Sequence, residues 1–299
     1  MSTLPLVTIV VISYNQSKYI KENLDSIKAQ TYLNIELIVA DDASPDNSVE
    51  IFESWLKNNN YSAKKNFHLK NTGLATVLNE CSKLANGKYI KFIAADDFLH
   101  PEAIEKCVLK LEELGDEYGM VFTNTNTIDD NSEIINIDAD YNIDSEINPY
   151  VLKKELLKKN IISALSVVMR LDVLKVTGDY NSSLLVEDYY RWLKINENYL
   201  IAYIPDKLAF YRYHENNITK LKKDRIIKED IYLKILYDKD GEIKNIINGY
   251  FLDRYINKKN IDSDIIEQYN NYSFKIKRLS IAIKYNIPLY AYKMISKII

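Results

Sequence analysis

A chain of 299 residues exceeds the common size of one domain and accommodates one large α/β domain with an appendage. Hydrophobic residues make up 47% and charged residues 27%, close to soluble globular averages, and a net charge of only -3 offers no basic surplus, which excludes nucleic acid as a general partner. The apolar run from Leu6 to Ile12 lacks a basic flank and stops at Ser13, unlike a secretory signal, and no stretch is long enough to cross a bilayer, so the expected location is the cytoplasm.

Val7 to Ile12 is a β-branched run of the kind that forms a strand buried on both faces, and Ser13-Tyr14-Asn15 ends it before a helical pattern through Tyr19, Leu24 and Ile27. Ile35 to Ala40 repeats the signal and stops at Asp41, after which Ser44-Pro45-Asp46-Asn47 turns the chain into a helix through Val49, Phe52, Trp55 and Leu56. The spacing then predicts a strand at Phe67 to Lys70, a turn at Asn71-Thr72-Gly73, a helix from Ala75 to Leu84 ended by Asn86-Gly87, and a strand at Tyr89 to Ala94. Strands alternating with helices imply an α/β fold with a doubly wound, mostly parallel sheet of the Rossmann-like kind. A helix through Ile104, Val108, Leu111 and Leu114 leads to a strand at Met120 to Thr123, and the polar stretch from Asp129 to Asn148 reads as a loop or β-hairpin. Leu152 to Leu157 is helical in pattern, Leu165 to Arg170 strand-like, and Val186 to Ile195 a helix opening with Glu187-Asp188 and carrying Trp192 and Leu193 inward. From about Lys220 to Ile299 run Lys- and Ile-rich helical segments, broken by Asp238-Lys239-Asp240-Gly241 and by Pro288. Cys81 and Cys107 form no ligand-spaced cluster and are expected reduced, on buried helix faces.

Two acidic pairs, Asp41-Asp42 and Asp96-Asp97, stand where strand-like runs end, which gathers four negative charges on one sheet edge, the place where open α/β folds bind ligands. Left alone, that clustering is costly. A divalent cation and hydrogen-bond donors such as a base or a ribose relieve it, so the pattern suggests a metal-bound nucleotide diphosphate.

In order and spacing, Val7 to Asn15, Gln30-Thr31-Tyr32, Asp41 to Asp46, Asn71 to Ala75, Gly87 to Ile90, Ala95-Asp96-Asp97, Arg170, Gly178-Asp179-Tyr180, Glu187-Asp188-Tyr189 and Tyr211 to His214 together resemble the family 2 glycosyltransferases of the GT-A fold, many of which build bacterial surface polysaccharides. The resemblance covers Leu6 to Thr219. It implies a GT-A domain over residues 1–219, with a nucleotide-binding half over about 1–100 and an acceptor half over 101–219, followed by a helical region over 220–299. The implied reaction is inverting, metal-dependent transfer of a hexosyl or N-acetylhexosaminyl group. The sugar would pass from a nucleotide-sugar donor, expected to be UDP-linked, to a hydroxyl of a glycan or lipid-linked glycan in capsule, lipopolysaccharide or exopolysaccharide synthesis.

Carried over residue by residue, the resemblance has Asp42 accept from the uracil or its neighbourhood, Tyr14 stack on that base with Ser13 and Asn15 beside it, and Asp41 support the loop. Asn71 and Gly73 fall in the donor site. Asp96 and Asp97 match the DxD element that holds Mn2+ or Mg2+, with Asp96 also reaching the nucleotide; which of the two touches the metal is left open. Ala94 stands where relatives often have a further Asp. His214 lies in an Arg-x-His element that in relatives folds over the donor and can ligate the metal, and Arg212 would add a fixed positive charge, whereas His68 and His100 look incidental. Glu187-Asp188 matches the family's acidic pair, with Asp188 as general base across the pocket from the metal. Leu78 and Lys194 depart from the Arg common at those positions.

Plainer readings exist for each element. An isolated Asp-Asp ends a strand and caps a helix, and an acidic pair suits any helix N-terminus. A silent donor-binding subunit and a nucleotidyltransferase are the competing classes, and the second normally opens with a glycine-rich loop that Ser13-Tyr14-Asn15-Gln16 lacks. Lys275, Lys277, Arg278, Lys284, Lys293 and Lys297, interleaved with apolar residues, fit a peripheral membrane contact at the inner face of the plasma membrane, or a helix packed on the catalytic domain or on a second subunit in a homo-oligomer.

Overall fold

The protein is described by a computed structural model over residues 4–136, 147–215, 217 and 221–296. The expected boundary at Thr219, most of the polar stretch before Asn148, and Lys297 lie outside the described residues. Those described divide into two compact units: one runs to Leu156 and from Asn160 to Asn217, and the other joins Leu157–Lys159 to the residues after position 220.

The first unit is built on one eight-stranded mixed sheet. In chain order its elements are β1 (Val7–Ser13), α1 (Ile20–Lys28), β2 (Ile35–Asp41), α2 (Ser48–Asn58), β3 (Ala63–Phe67), α3 (Leu74–Leu84), β4 (Tyr89–Ala94), β5 (Phe98–Leu99), α4 (Ala103–Leu114), β6 (Tyr118–Ile128), α5 (Pro149–Lys158), β7 (Val168–Arg170), α6 (Leu171–Val176), α7 (Glu187–Asn198) and β8 (Leu200–Arg212). The strand order is β3-β2-β1-β4-β7-β6-β8-β5. β1 is buried along its whole length, as a strand covered by helices on both faces must be, and pairs in parallel with β2 and β4. Beyond β4 the sheet turns mixed: β7 is antiparallel to β4 and β6, β8 parallel to β6, and β5 antiparallel to β8.

Register decides where the site forms. Ser13 lies opposite Asp41 and Ile12 opposite Ala94, so three adjacent parallel strands end at one level and deliver both acidic pairs to the same rim.

Five strands differ from expectation: β5 is two residues long and carries no signal of its own, and β7 begins at Val168, after a 3-10 turn at Ala164–Ser166, rather than at Leu165. β3 lies at Ala63–Phe67 rather than Phe67 to Lys70: it is the edge strand, half-buried, and its Lys64 and Lys65 give it no apolar run. β6 continues to Ile128 because its partner β8 shelters the polar run Thr123 to Asn126. β8 itself carries no continuous signal, since Pro205, Asp206 and Lys207 interrupt it at a register shift where Asn124 Nδ2 donates to the Pro205 carbonyl at 3.0 Å. Cys81 and Cys107 are free and buried on α3 and α4, and burial pushes both thiols up to about 12.

The second unit is helical among the described residues: α8 (Lys223–Tyr237), α9 (Lys244–Ile256), α10 (Ser263–Asn271), α11 (Lys277–Lys284) and α12 (Leu289–Ser296). Its core gathers Ile231, Ile247, Phe251, Tyr269 and Leu279, with Phe251 and Tyr269 stacked at 3.8 Å. Breaks fall at Asp238 to Gly241, where Gly241 takes a φ of 73°, and before Leu289. No helix among the described residues is long and apolar enough to cross a membrane.

Candidate active site

The loop after β1 is shaped by the loop after β2. Asp41 accepts from the Ser44 N–H at 2.8 Å and from its hydroxyl at 2.5 Å, and Ser44 Oγ in turn accepts the Asn15 N–H at 2.9 Å. Asn15 sits at φ 57°, a left-handed conformation that Asn tolerates. Ser13 is buried, its hydroxyl 3.2 Å from that of Ser48, while the Tyr14 ring is left 51% exposed, free to present a face to a planar ligand.

Asp42 is buried and held by four donors. Oδ1 takes the Thr72 N–H at 2.8 Å, the Thr72 hydroxyl at 3.0 Å and His68 Nδ1 at 2.8 Å, and Oδ2 takes the Gly73 N–H at 2.8 Å. Burial raises a carboxylate's pKa, but these donors outweigh it and hold Asp42 below the usual carboxylate value. Gly73 makes the turn possible: φ 87° with ψ 150° is a conformation essentially confined to glycine. Asn71, two residues before, is exposed. His68, expected to be incidental, is therefore wired to Asp42, a contact invisible in sequence because it joins residues 26 apart across β3.

The Asp96-Asp97 turn is clamped by β8. Asp97 Oδ1 accepts the Arg212 N–H at 2.9 Å, Arg212 Nε donates to the Asp96 carbonyl at 2.8 Å, and Asn23 Nδ2 donates to the carbonyls of Ala94 and Asp97 at 3.0 and 2.8 Å. Burial and the neighbouring Asp96 charge push Asp97 well above the usual carboxylate range. Asp96 faces elsewhere: its Oδ2 lies 3.0 Å from His214 Nε2, so of the two aspartates it is the one beside the imidazole.

The Arg212 guanidinium is buried and engaged at every nitrogen, with Nη1 on the Asp129 carbonyl at 2.6 Å and Nη2 on Glu22 at 2.5 Å and Ser132 Oγ at 3.1 Å, so it braces the turn. Tyr19 completes the brace. Its ring lies parallel to that of His214 at 6.1 Å, has the Arg212 guanidinium 4.5 Å from its centroid, and sends its hydroxyl to Asp130 at 2.5 Å. Tyr19, Glu22 and Asn23 lie on or beside α1 and show in sequence only as ordinary helix residues.

A carboxylate and an imidazole are suitable ligands for Mn2+ or Mg2+. Among the described residues no cluster of three or more His, Cys, Asp or Glu could hold a metal, so a cation here would take its other ligands from diphosphate oxygens and water.

Asp188 stands in the first turn of α7. Its Oδ1 accepts the Tyr189 N–H at 2.5 Å and its Oδ2 lies 3.5 Å from Asn160 Nδ2, while the Tyr189 hydroxyl ties the helix start to the Leu156 carbonyl at 2.8 Å. The carboxyl keeps accessible surface yet is packed round densely enough that burial pushes it up to about 6, against an ordinary 3.8. Glu187, beside it, is half-buried. Tyr180 relates this region to α3 and β4. Asn79 of α3 grips its backbone at 2.7 and 3.0 Å, its ring meets Phe92 of β4 edge-on at 6.0 Å, and the charges of Glu187 and Asp188 reach its buried phenol.

Residues 8–168 match the family model described as Glycosyl transferase family 2. The chondroitin synthase of Escherichia coli is 28% identical over 233 residues, covering 77% of this chain and 32% of that protein. The chain spans about a third of the length of several curated relatives it matches. Among solved structures, S. aureus TarS 1-349 in complex with UDP-GlcNAc superposes with a TM-score of 0.69 at 18% identity, over 94% of this chain and 86% of that one. The mannosyltransferase PcManGT from Pyrobaculum calidifontis in complex with GDP-Man and Mn2+ superposes with a TM-score of 0.64 at 17% identity, over 99% and 84%. The shared fold is the GT-A fold, and the match to the family model extends over more than half of the sequence. The chain belongs to glycosyl transferase family 2.

Proposed function

We propose that this protein is an inverting, metal-dependent glycosyltransferase that moves a sugar from a UDP-linked donor to a hydroxyl of a glycan in bacterial surface-polysaccharide synthesis. The observation that carries the reading is the Asp96–His214 pair at the level where β1, β2 and β4 end. Family membership and relatives such as the chondroitin synthase support the reaction class and the glycan acceptor. In this reading residues 1–100 bind the nucleotide, with Tyr14 stacking on the base and Asp42 and Asn71-Thr72-Gly73 lining its edge, and residues 101–219 face the acceptor.

Asp96 and His214 would hold the cation, which when bound neutralises charge growing on the diphosphate. Asp188 takes the proton of the acceptor hydroxyl as its oxygen bonds to the anomeric carbon and the bond from that carbon to the diphosphate oxygen breaks, releasing UDP. A base with a pKa near 6 is ionised at neutral pH and still a better proton acceptor than a solvated aspartate. Inversion follows from attack on the face opposite the leaving group.

The helical region has a separate role in this reading. From position 271 onward the sequence holds six Lys or Arg and no Asp or Glu, and α11 and α12 expose Ile281 at 51%, Tyr285 at 67% and Tyr290 at 71%. Cations around exposed apolar and aromatic groups suit an anionic lipid surface, where a lipid-linked acceptor would be met. Co-sedimentation with phosphatidylglycerol vesicles, absent with phosphatidylcholine, checks this.

The reaction is tested by screening nucleotide sugars for thermal stabilisation with Mn2+ present, then measuring UDP release with acceptor glycans and the anomeric configuration of the product by NMR. Release of pyrophosphate from UTP and a sugar phosphate, without UDP release from any nucleotide sugar, would overturn it.

A further inference from the structure

His68, the residue after β3, sits between two carboxylates behind the donor rim. Its side chain is only 10% exposed; Nδ1 lies 2.8 Å from Asp42 Oδ1 and Nε2 2.7 Å from Glu80 Oε2 on α3. Carboxylate oxygens only accept, so both contacts hold together when both ring nitrogens carry hydrogen, that is, in the imidazolium form. Burial alone pushes its pKa down, but the bonds to Asp42 and Glu80 outweigh this and hold it above the ordinary histidine value. Of the other groups facing the cluster, the Thr72 hydroxyl lies 2.9 Å from Nδ1, Asn66 Nδ2 donates to Glu80 at 3.0 Å and lies 3.3 Å from Nε2, Lys83 lies near enough to act on Glu80, and Cys81 beside Asn66 is kept a neutral thiol by burial.

We propose that His68 is a positioning residue for nucleotide recognition: it balances the buried Asp42 charge and fixes that carboxylate against the Thr72–Gly73 turn, leaving Oδ2 an acceptor site for the donor's base. The inference rests on the donor reading above. Without His68 the Asp42 carboxylate keeps its Thr72 and Gly73 donors but loses its countercharge, and a buried carboxylate so placed takes up a proton or turns toward water. Because Asp42 would touch the nucleoside equally before and during transfer, the effect falls on donor affinity and not on turnover.

The test uses isosteres. An Asn side chain puts its amide nitrogen close to the Nδ1 position of histidine, and Gln close to Nε2. Calorimetric titration with UDP and, separately, GDP, each with Mn2+, is expected to show His68→Asn, which restores the donor at the Nδ1 position but not the countercharge, weakened about threefold, and His68→Gln and His68→Ala weakened about tenfold, with kcat at saturating donor within about twofold throughout. A role in packing alone would reverse the order, since Gln better matches the volume of His. That reversal, or kcat falling in step with affinity, would overturn the inference. Equal affinity in wild type and all three variants would also overturn it while leaving the donor reading intact, whereas a wild type that binds neither nucleotide overturns the donor reading and this inference with it.

Discussion

The rim where β1, β2 and β4 end and the first turn of α7 both present aspartates, in opposite company. Asp42 has two backbone N–H groups, a hydroxyl and an imidazole on its carboxylate and is held below the usual carboxylate value, whereas Asp188 has one short backbone contact and a distant Asn160 and is pushed up to about 6. A carboxylate saturated with donors is a fixed acceptor: it can orient a ligand but has little tendency to take a proton. One that is crowded by protein yet sparsely bonded keeps its basicity. In the proposed function, this difference of environment, not of residue type, divides binding from proton transfer.

The largest expected effect lies on the basic side of that division. Asp188→Asn is expected to lower the transfer rate by roughly 10³–10⁴-fold with UDP affinity within about twofold of wild type, read from single-turnover transfer and calorimetry on the same preparation. Wild-type kcat/KM should show an acid limb near pH 6, where Asp188 becomes protonated. A rate that stays flat down to pH 5 would remove Asp188 from the role of base and dissolve the contrast.

The Asp96-Asp97 pair sharpens the comparison inside a single turn. Asp96→Ala is expected to weaken Mn2+-dependent UDP binding by roughly 10–100-fold with little change in melting temperature, because its carboxylate faces His214. Asp97→Ala should instead lower the melting temperature by about 3–8 °C, because its carboxyl is buried against the Arg212 backbone. Equal effects on both measurements would show that the two side chains share one task.

How far the sequence alone leads can be judged from these residues. Asp41, Asp42, Asp96 and Asp97 are legible because each pair ends an apolar or β-branched run, and strand register does the rest. Arg212 and His68 are not. Arg212 reaches the turn through the β5–β8 pairing across more than a hundred residues, and its bracing contacts are invisible before that pairing is known. His68 follows an edge strand whose lysines hide its period, so neither strand nor partner is visible before the fold is known. β8 escapes for a related reason: Pro205, Asp206 and Lys207 occupy a register shift, and local propensity there opposes a strand that pairing with β6 imposes.

Stability gives the smallest but most direct test of the contrast, since the two aspartates should respond with opposite sign. The folded-state pKa of Asp188 lies above its unfolded value, so between about pH 3.8 and about 6 the folded chain holds more protons; its contribution to stability falls as pH rises through that window and stays unfavourable at pH 7.5. The pKa of Asp42 is depressed by folding, so its contribution is present above 3.8 and is lost as pH falls through the folded value. At pH 7.5 Asp42→Asn should therefore lower the melting temperature by about 3–8 °C, and Asp188→Asn should leave it unchanged or raise it by about 1–4 °C. At pH 5, about halfway through that window, the gain from Asp188→Asn should shrink to roughly half, and it should vanish only below about pH 3.8. A drop at position 188 matching that at position 42 would mean that both carboxylates are held for the fold, and that the basicity of Asp188 has no part in separating them.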